Sequence, residues 1–166
     1  MPLKIDSPEA YLESLRRLDR RIYILGERVY NPVEHPLVRP SERALGETYD
    51  RGSEAEAEGL LFTDSHLTGK RISRFNHIHQ STDDLVKKVN MQRMLGRRTA
   101  TCFQRCVGMD GFNALYSVTY ECDAEHGTDY HRRIKDYLAW VQEENIVVEG
   151  AMTDVRGDRG ARPGQQ

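Results

Sequence analysis

The stretch STDDLVKKVNMQRMLGRRTATCFQRCVGMDGFNALYSVTYEC, residues 81–122, decides the fold class of this chain. Ser81 followed by Asp83 and Asp84 reads as a helix start. A hydroxyl can cap the first free N–H groups, and carboxylates sit well at the positive end of the helix dipole. The helix is expected to run to about Thr99. Cys102 and Cys106 then fall in its continuation, or in a helix joined to it by a small kink near Gly96. Gly108–Gly111 reads as a break between helices, with a phosphate-binding turn as the sharper alternative. Beyond it Phe112, Leu115, Val118 and Cys122 recur at helical spacing, with Cys122 as a core residue.

Working outward, Ser7-Pro8-Glu9 carries another start signal: a capping hydroxyl, proline at the first position and an acid in the first turn. Tyr11, Leu15, Leu18 and Ile22 follow at helical spacing, and Gly26 is the expected stop. Residues 27–40 hold three prolines and read as an irregular connection. Ser41 is expected to cap a short helix to about Tyr49, and RGSEAEAEG after it reads as a loop or as the solvated end of that helix. Leu60–Thr63 and Arg71–His79 flank a turn near Thr68-Gly69-Lys70, the pattern of a hairpin. On such a strand His77 and His79 would share a face. Tyr130, Ile134, Leu138 and Val141 predict a further helix, and Ile146–Val148 has strand character. The expected fold is mainly α, a helical domain over 1–145 with a small hairpin. Residues 146–166 would then enter a β domain. The end, GDRGARPGQQ, reads as a loop or tail and suggests a truncated chain.

Composition narrows the function classes. A chain of 166 residues fits one domain. Charged residues make up 30% and the net charge is −2, so no global field draws nucleic acid or a membrane surface. The apolar runs are far too short to span a bilayer. The first residues lack the apolar core of a secretory signal. Three cysteines in such a setting suggest no disulfide framework and a reducing, cytoplasmic compartment.

Cys102 and Cys106, four apart, would share one face of a helix and could offer two thiolates to Zn²⁺ or to an iron of a cluster. Two ligands do not close such a site. By spacing alone, two buried thiols are the more frequent arrangement. His77 and His79 are read either as ligands or proton carriers, or as the polar tips of a half-buried strand. In MTDVRGDRG, residues 152–160, Arg156 and Arg159 could meet a phosphate, or the segment is a solvated loop.

A resemblance goes further than these patterns. HQSTDDLVKKVNMQRMLGRRTATCFQRCVGMDGFNALYSVTYE resembles the N-terminal part of the 4-hydroxybutyryl-CoA dehydratases, which are also vinylacetyl-CoA Δ-isomerases. They belong to the wider flavin-dependent 4-hydroxyphenylacetate 3-hydroxylase family, with a fold like that of acyl-CoA dehydrogenases. YLESLRRLDRRIYILGERV, HPLVRPS and VVEGAMTDVRGDRG match in the same order. The resemblance implies FAD and a [4Fe-4S] cluster, with Cys102 and Cys106 as two cluster ligands and Gln104 at the active site. It implies flavin contacts from Met152, Thr153, Asp154, Gly157, Asp158 and Arg159. It implies dehydration of 4-hydroxybutyryl-CoA to crotonyl-CoA by a homotetramer. The remaining His and Cys ligands and the catalytic base would lie downstream, so the chain alone is expected to be inactive and without a stable cluster.

Two other readings compete. An aromatic hydroxylase of the same superfamily tends to carry Gly-Arg-Ser/Thr-Pro-Asp where this chain has Gly96-Arg97-Arg98-Thr99-Ala100, and it needs no cysteine pair. A helical binding or assembly module without catalysis would need neither cluster ligands nor a flavin segment.

Overall fold

The computed structural model describes residues 4–50, 59–150, 157–158 and 160–165. Among these, five α-helices of more than one turn and two short hairpins form the architecture. Helix α1 covers Pro8–Arg16, β1 Ile22–Ile24, β2 Glu27–Val29, and α2 Arg39–Gly46. Then come β3 at Phe62–Asp64, β4 at Arg71–Ser73, α3 at Thr82–Thr99, α4 at Cys106–His126 and α5 at Tyr130–Glu144. The mainly helical fold is as expected.

The start signals at Ser7 and Ser81 act as expected. The Ser7 hydroxyl accepts from the Ala10 N–H at 3.1 Å and opens α1. The Ser81 hydroxyl accepts from the Asp84 N–H at 3.2 Å and opens α3. An oxygen cap of this kind contributes about 1 kcal/mol.

The first helix stops sooner than its spacing suggests. After Arg16 the chain turns away, and Ile22–Ile24 pairs antiparallel with Glu27–Val29. Leu25 and Gly26 make the two-residue turn with φ of +50° and +87°. Both central residues at positive φ match the twist of paired strands. Ile, Tyr and Ile suit a strand, and Leu18, counted into the helical stripe, is exposed. The next helix starts at Arg39 with Pro40 in its first turn, before Ser41, and a 3₁₀ turn at Glu47–Tyr49 carries it to the expected end. Most of the acidic stretch after it lies outside the described residues.

The second hairpin forms where predicted, with Thr63 opposite Ile72. It ends earlier. The Ser73 hydroxyl accepts from the Phe75 N–H at 3.4 Å and starts a 3₁₀ turn at Arg74–Asn76. His77 and His79 therefore lie beyond the strand, not alternating along it.

The helical core departs from expectation at its glycines. Helix α3 runs unbroken past Gly96 to Thr99, where Ala100 at φ +52° ends it. Helix α4 begins at Cys106 and passes straight through Gly108 and Gly111 to His126. Neither glycine is a break. A Cβ at Gly108 would stand 1.8 Å from the Val148 carbonyl oxygen, so this glycine serves a close approach of backbones.

Three apolar clusters hold the helices together. Leu61, Phe75, Met91, Leu95, Phe103 and Met109 join the second hairpin to α3 and α4. Ile78, Phe112, Leu138 and Val141 join α4 to α5. Tyr11, Leu45 and Tyr49 join α1 to α2. Each such fully buried side chain contributes roughly 1.5–3 kcal/mol by leaving water. Residues 146–148 form no strand ladder. Ile146 and Val148 pack on the α4–α5 cluster and Val147 on the α1–α2 cluster. The apolar run read as a strand thus serves two helical cores, one on each face.

Candidate cofactor site

The turn between α3 and α4 carries the cysteine pair. It does not place both sulfurs on one helix face, because Cys102 lies in the turn and Cys106 is the first residue of α4. Cys102 is exposed and Cys106 half-buried. Side chains in the turn alternate. Cys102 and Gln104 face out, while Phe103 and Arg105 are buried. The inward pair fixes the outward one.

Phe103 meets Phe75 edge to face, with centroids 5.7 Å apart. Arg105 is almost wholly buried, at 1% exposure. Its guanidinium lies over the rings of Tyr49 at 4.5 Å and Phe75 at 5.0 Å. One Nη donates to the Thr48 hydroxyl at 3.2 Å and the other to Asn145 Oδ1 at 2.8 Å. Its Nε finds no acceptor, and among the described residues no carboxylate pairs with it. Burial pulls the Arg105 guanidinium below its ordinary pKa, against the favourable pull of Tyr49 and Tyr11. Burial likewise pushes the Tyr49 hydroxyl up, with Arg105 opposing it.

Held from both sides, Gln104 adopts φ +54°. A non-glycine residue in this region costs about 1 kcal/mol, and such strain concentrates at functional positions. The same twist aims the Gln104 N–H at Cys102 Sγ, 3.4 Å away. N–H donors to sulfur are among the features that tune iron–sulfur centres. The first turn of α4 adds free N–H groups with no side-chain cap and no acid. That setting suits bound negative charge. The donor set therefore fits two ligands of a cluster. Among the described residues no group of three His, Cys, Asp or Glu side chains could hold a metal ion. The pair is at most half of a site.

Of the flavin-segment residues, Met152, Thr153, Asp154 and Arg159, together with Arg156, lie outside the described residues. Gly157 and Asp158 are exposed, and the Asp158 carboxylate accepts from the Gly160 N–H at 2.8 Å. Cys122 is half-buried near the end of α4, beside the Thr128 hydroxyl at 3.7 Å, and belongs to none of the core clusters.

The histidines form a second polar group, away from the cysteines in sequence. His77 is buried, its Nε2 lies 3.3 Å from Asp84 Oδ2, and its ring stands 6.2 Å from that of His79. Burial would raise the Asp84 carboxyl. The Gln80 N–H, His77 and Arg74 outweigh that and hold it down at about 2. Burial first, then Lys88 and His77, lowers His79. Asn113 ties the segment to α4. Its side chain accepts from the His79 N–H at 2.8 Å and donates to the His77 carbonyl at 3.2 Å. The role of Asn113, and that of Arg105, was not legible in the sequence. The one available signal for Arg105 was an arginine between two residues of an otherwise chemical motif.

Residues 7–166 match the family described as 4-hydroxyphenylacetate 3-hydroxylase N terminal. The chain belongs to this family. Within the family it is 52% identical, over 158 residues, to the 4-hydroxybutyryl-CoA dehydratase/vinylacetyl-CoA-Δ-isomerase of Clostridium aminobutyricum. That alignment covers 95% of this chain and 32% of the relative. An oxygen-tolerant archaeal 4-hydroxybutyryl-CoA dehydratase from N. maritimus superposes with a TM-score of 0.88 at 51% identity, over 98% of this chain and 32% of that one. The oxygenase component of 4-hydroxyphenylacetate 3-monooxygenase, solved with FAD and 4-hydroxyphenylacetate, superposes with a TM-score of 0.69 at 18% identity. That match covers 96% of this chain and 33% of the oxygenase, and it shows a shared fold. The chain thus spans about a third of the length of the relatives it matches. No helix of the described residues is long and apolar enough to cross a membrane.

Proposed function

We propose that this chain is the N-terminal part of a 4-hydroxybutyryl-CoA dehydratase with vinylacetyl-CoA isomerase activity, a cytoplasmic homotetramer binding FAD and a [4Fe-4S] cluster. The observation that carries the reading is the turn at 101–105, where Cys102 and Gln104 are presented outward by a buried Phe103 and Arg105. Half identity to two dehydratases across nearly the whole chain supports it. The FAD-bound oxygenase of the same fold supports the flavin. In this reading Cys102 and Cys106 hold two irons of the cluster, and a His and a Cys from the rest of the protein hold the others. Met152, Thr153, Asp154, Gly157, Asp158 and Arg159 contact the flavin, and the segment after Asn145 leads into a β domain.

When bound, flavin and cluster would supply the one-electron and Lewis-acid chemistry that removal of an unactivated hydrogen needs. The chain's own residues orient. Gln104, exposed between the two cysteines, carries an amide able to donate to a thioester or hydroxyl oxygen of the acyl-CoA. The turn holds the Gln104 backbone at φ +54°, which sets the direction in which that side chain leaves the chain.

The test is anaerobic reconstitution of the full-length protein. Cys102→Ala should lose the cluster absorbance near the visible while FAD remains. A cluster unchanged in that variant would disprove the ligand assignment. A wild-type protein that takes up FAD but no iron would favour an aromatic hydroxylase instead.

A further inference from the structure

The cysteine turn is fastened on both flanks to one segment, residues 145–148. On one flank Arg105 donates to Asn145 Oδ1 at 2.8 Å. On the other, Gly108 lies so close to the Val148 carbonyl that a Cβ there would come within 1.8 Å of its oxygen. Asn145 is itself heavily tied. It ends α5 at φ +55°, its carbonyl accepts from the Tyr49 hydroxyl at 2.8 Å, and its Nδ2 donates to the Ile5 carbonyl at 2.9 Å. The Ile146 N–H then turns back to the Val141 carbonyl at 3.2 Å, closing the helix end. Between these points Ile146, Val147 and Val148 are packed into two cores.

Position in the chain gives the arrangement its consequence. Arg105 directly precedes Cys106, and Gly108 follows it on the same helical turn. Val148 directly precedes the segment that contains Met152 to Arg159. We infer that Arg105–Asn145 and Gly108–Val148 form a two-point clamp that fixes residues 145–148, the stretch leading toward Met152, against the cysteine turn. Arg105, Gly108 and Asn145 are positioning residues, acting through the cysteines and the following segment. The consequence for flavin binding rests on the function proposed above. The packing claim does not.

Gly111 supplies the matched control. It lies on the same helix, and a Cβ there meets nothing within 4 Å. The full-length protein is compared as wild type, Gly108→Ala, Asn145→Gly and Gly111→Ala. Asn145→Gly keeps the left-handed backbone open while removing the amide, so it serves if Gly108→Ala does not fold. Amide exchange at residues 146–150 should speed up at least tenfold in Gly108→Ala and Asn145→Gly, with α3 unchanged. Iodoacetamide labelling of Cys106 in the apoprotein should quicken in the same two variants. Gly111→Ala should match wild type in both. Half-saturation with FAD should rise at least tenfold in the two clamp variants. Wild-type exchange at 146–150 in Gly108→Ala and Asn145→Gly would overturn the clamp, as would exchange raised equally in α3. A wild type that binds no FAD would instead refute the proposed function, and the exchange and labelling arms would still decide the clamp.

Discussion

Among the described residues two arginines are buried, and they are satisfied in opposite ways. Arg74, at the end of the second hairpin, donates to three backbone carbonyls, those of Gly59, Leu60 and Phe62, and meets Asp84 at 3.3 Å. Every one of those partners lies within 15 residues of it. Arg105 has two neutral acceptors, 57 and 40 residues away, two aromatic faces and an idle Nε. A buried charge without an opposite charge is costly to keep. Arg74 therefore reads as a staple for the fold. The cost accepted at Arg105 fits a residue kept for where it holds its neighbours.

The comparison can be broken most directly by removing each cation. Arg74→Met would leave three carbonyls without this donor and take one of its partners from Asp84, with an expected loss of about 3–5 kcal/mol in urea unfolding. The next effect is in acid. Asp84 is depressed in the folded state, so its contribution is present above the ordinary carboxylate range and fades as pH falls from about 4 toward 2. Stability should drop by about 2 kcal/mol across that window, and Asp84→Asn should flatten the drop.

Arg105→Met should cost only about 1–2 kcal/mol, because no described carboxylate is left unpaired and an apolar side chain recovers the desolvation cost. Yet it should release the turn and speed labelling of Cys102. Equal losses for Arg74→Met and Arg105→Met would erase the distinction drawn here. Smallest are two relaxations of positive φ. Ala100→Gly should gain up to about 1 kcal/mol in thermal unfolding, as should Gln104→Gly. On the proposed function, Gln104→Gly should also reduce dehydratase turnover of the full-length protein, where Ala100→Gly leaves it intact.

The sequence reading went wrong at particular places for particular reasons. Glycine usually punctuates, so Gly108 and Gly111 were expected to separate two helices. One is instead a contact with Val148, forty residues on, and the other is simply tolerated in an exposed helix. Leu18 and Ile22 continued a helical stripe, but a two-residue turn at Leu25-Gly26 won the local competition. His77 and His79 alternated as on a strand, but the Ser73 hydroxyl ended that strand first. The cysteines were visible as a pair in their spacing, while their geometry was not. Spacing put them on one helix face, and the structure puts one in a turn and one at a helix start.

By itself, the sequence determined what is local: the caps at Ser7 and Ser81, the helical stripes that became α3 to α5, the second hairpin, and the motif that marks the family. These rest on interactions within a few residues, where identity and spacing suffice. Only the tertiary structure decided which side chains of the 101–105 turn face inward, why Gly108 must be glycine, and how Asn145 joins the turn to the segment beyond α5. Those depend on contacts between residues tens of positions apart, and such contacts exist only once the cores have brought the elements together.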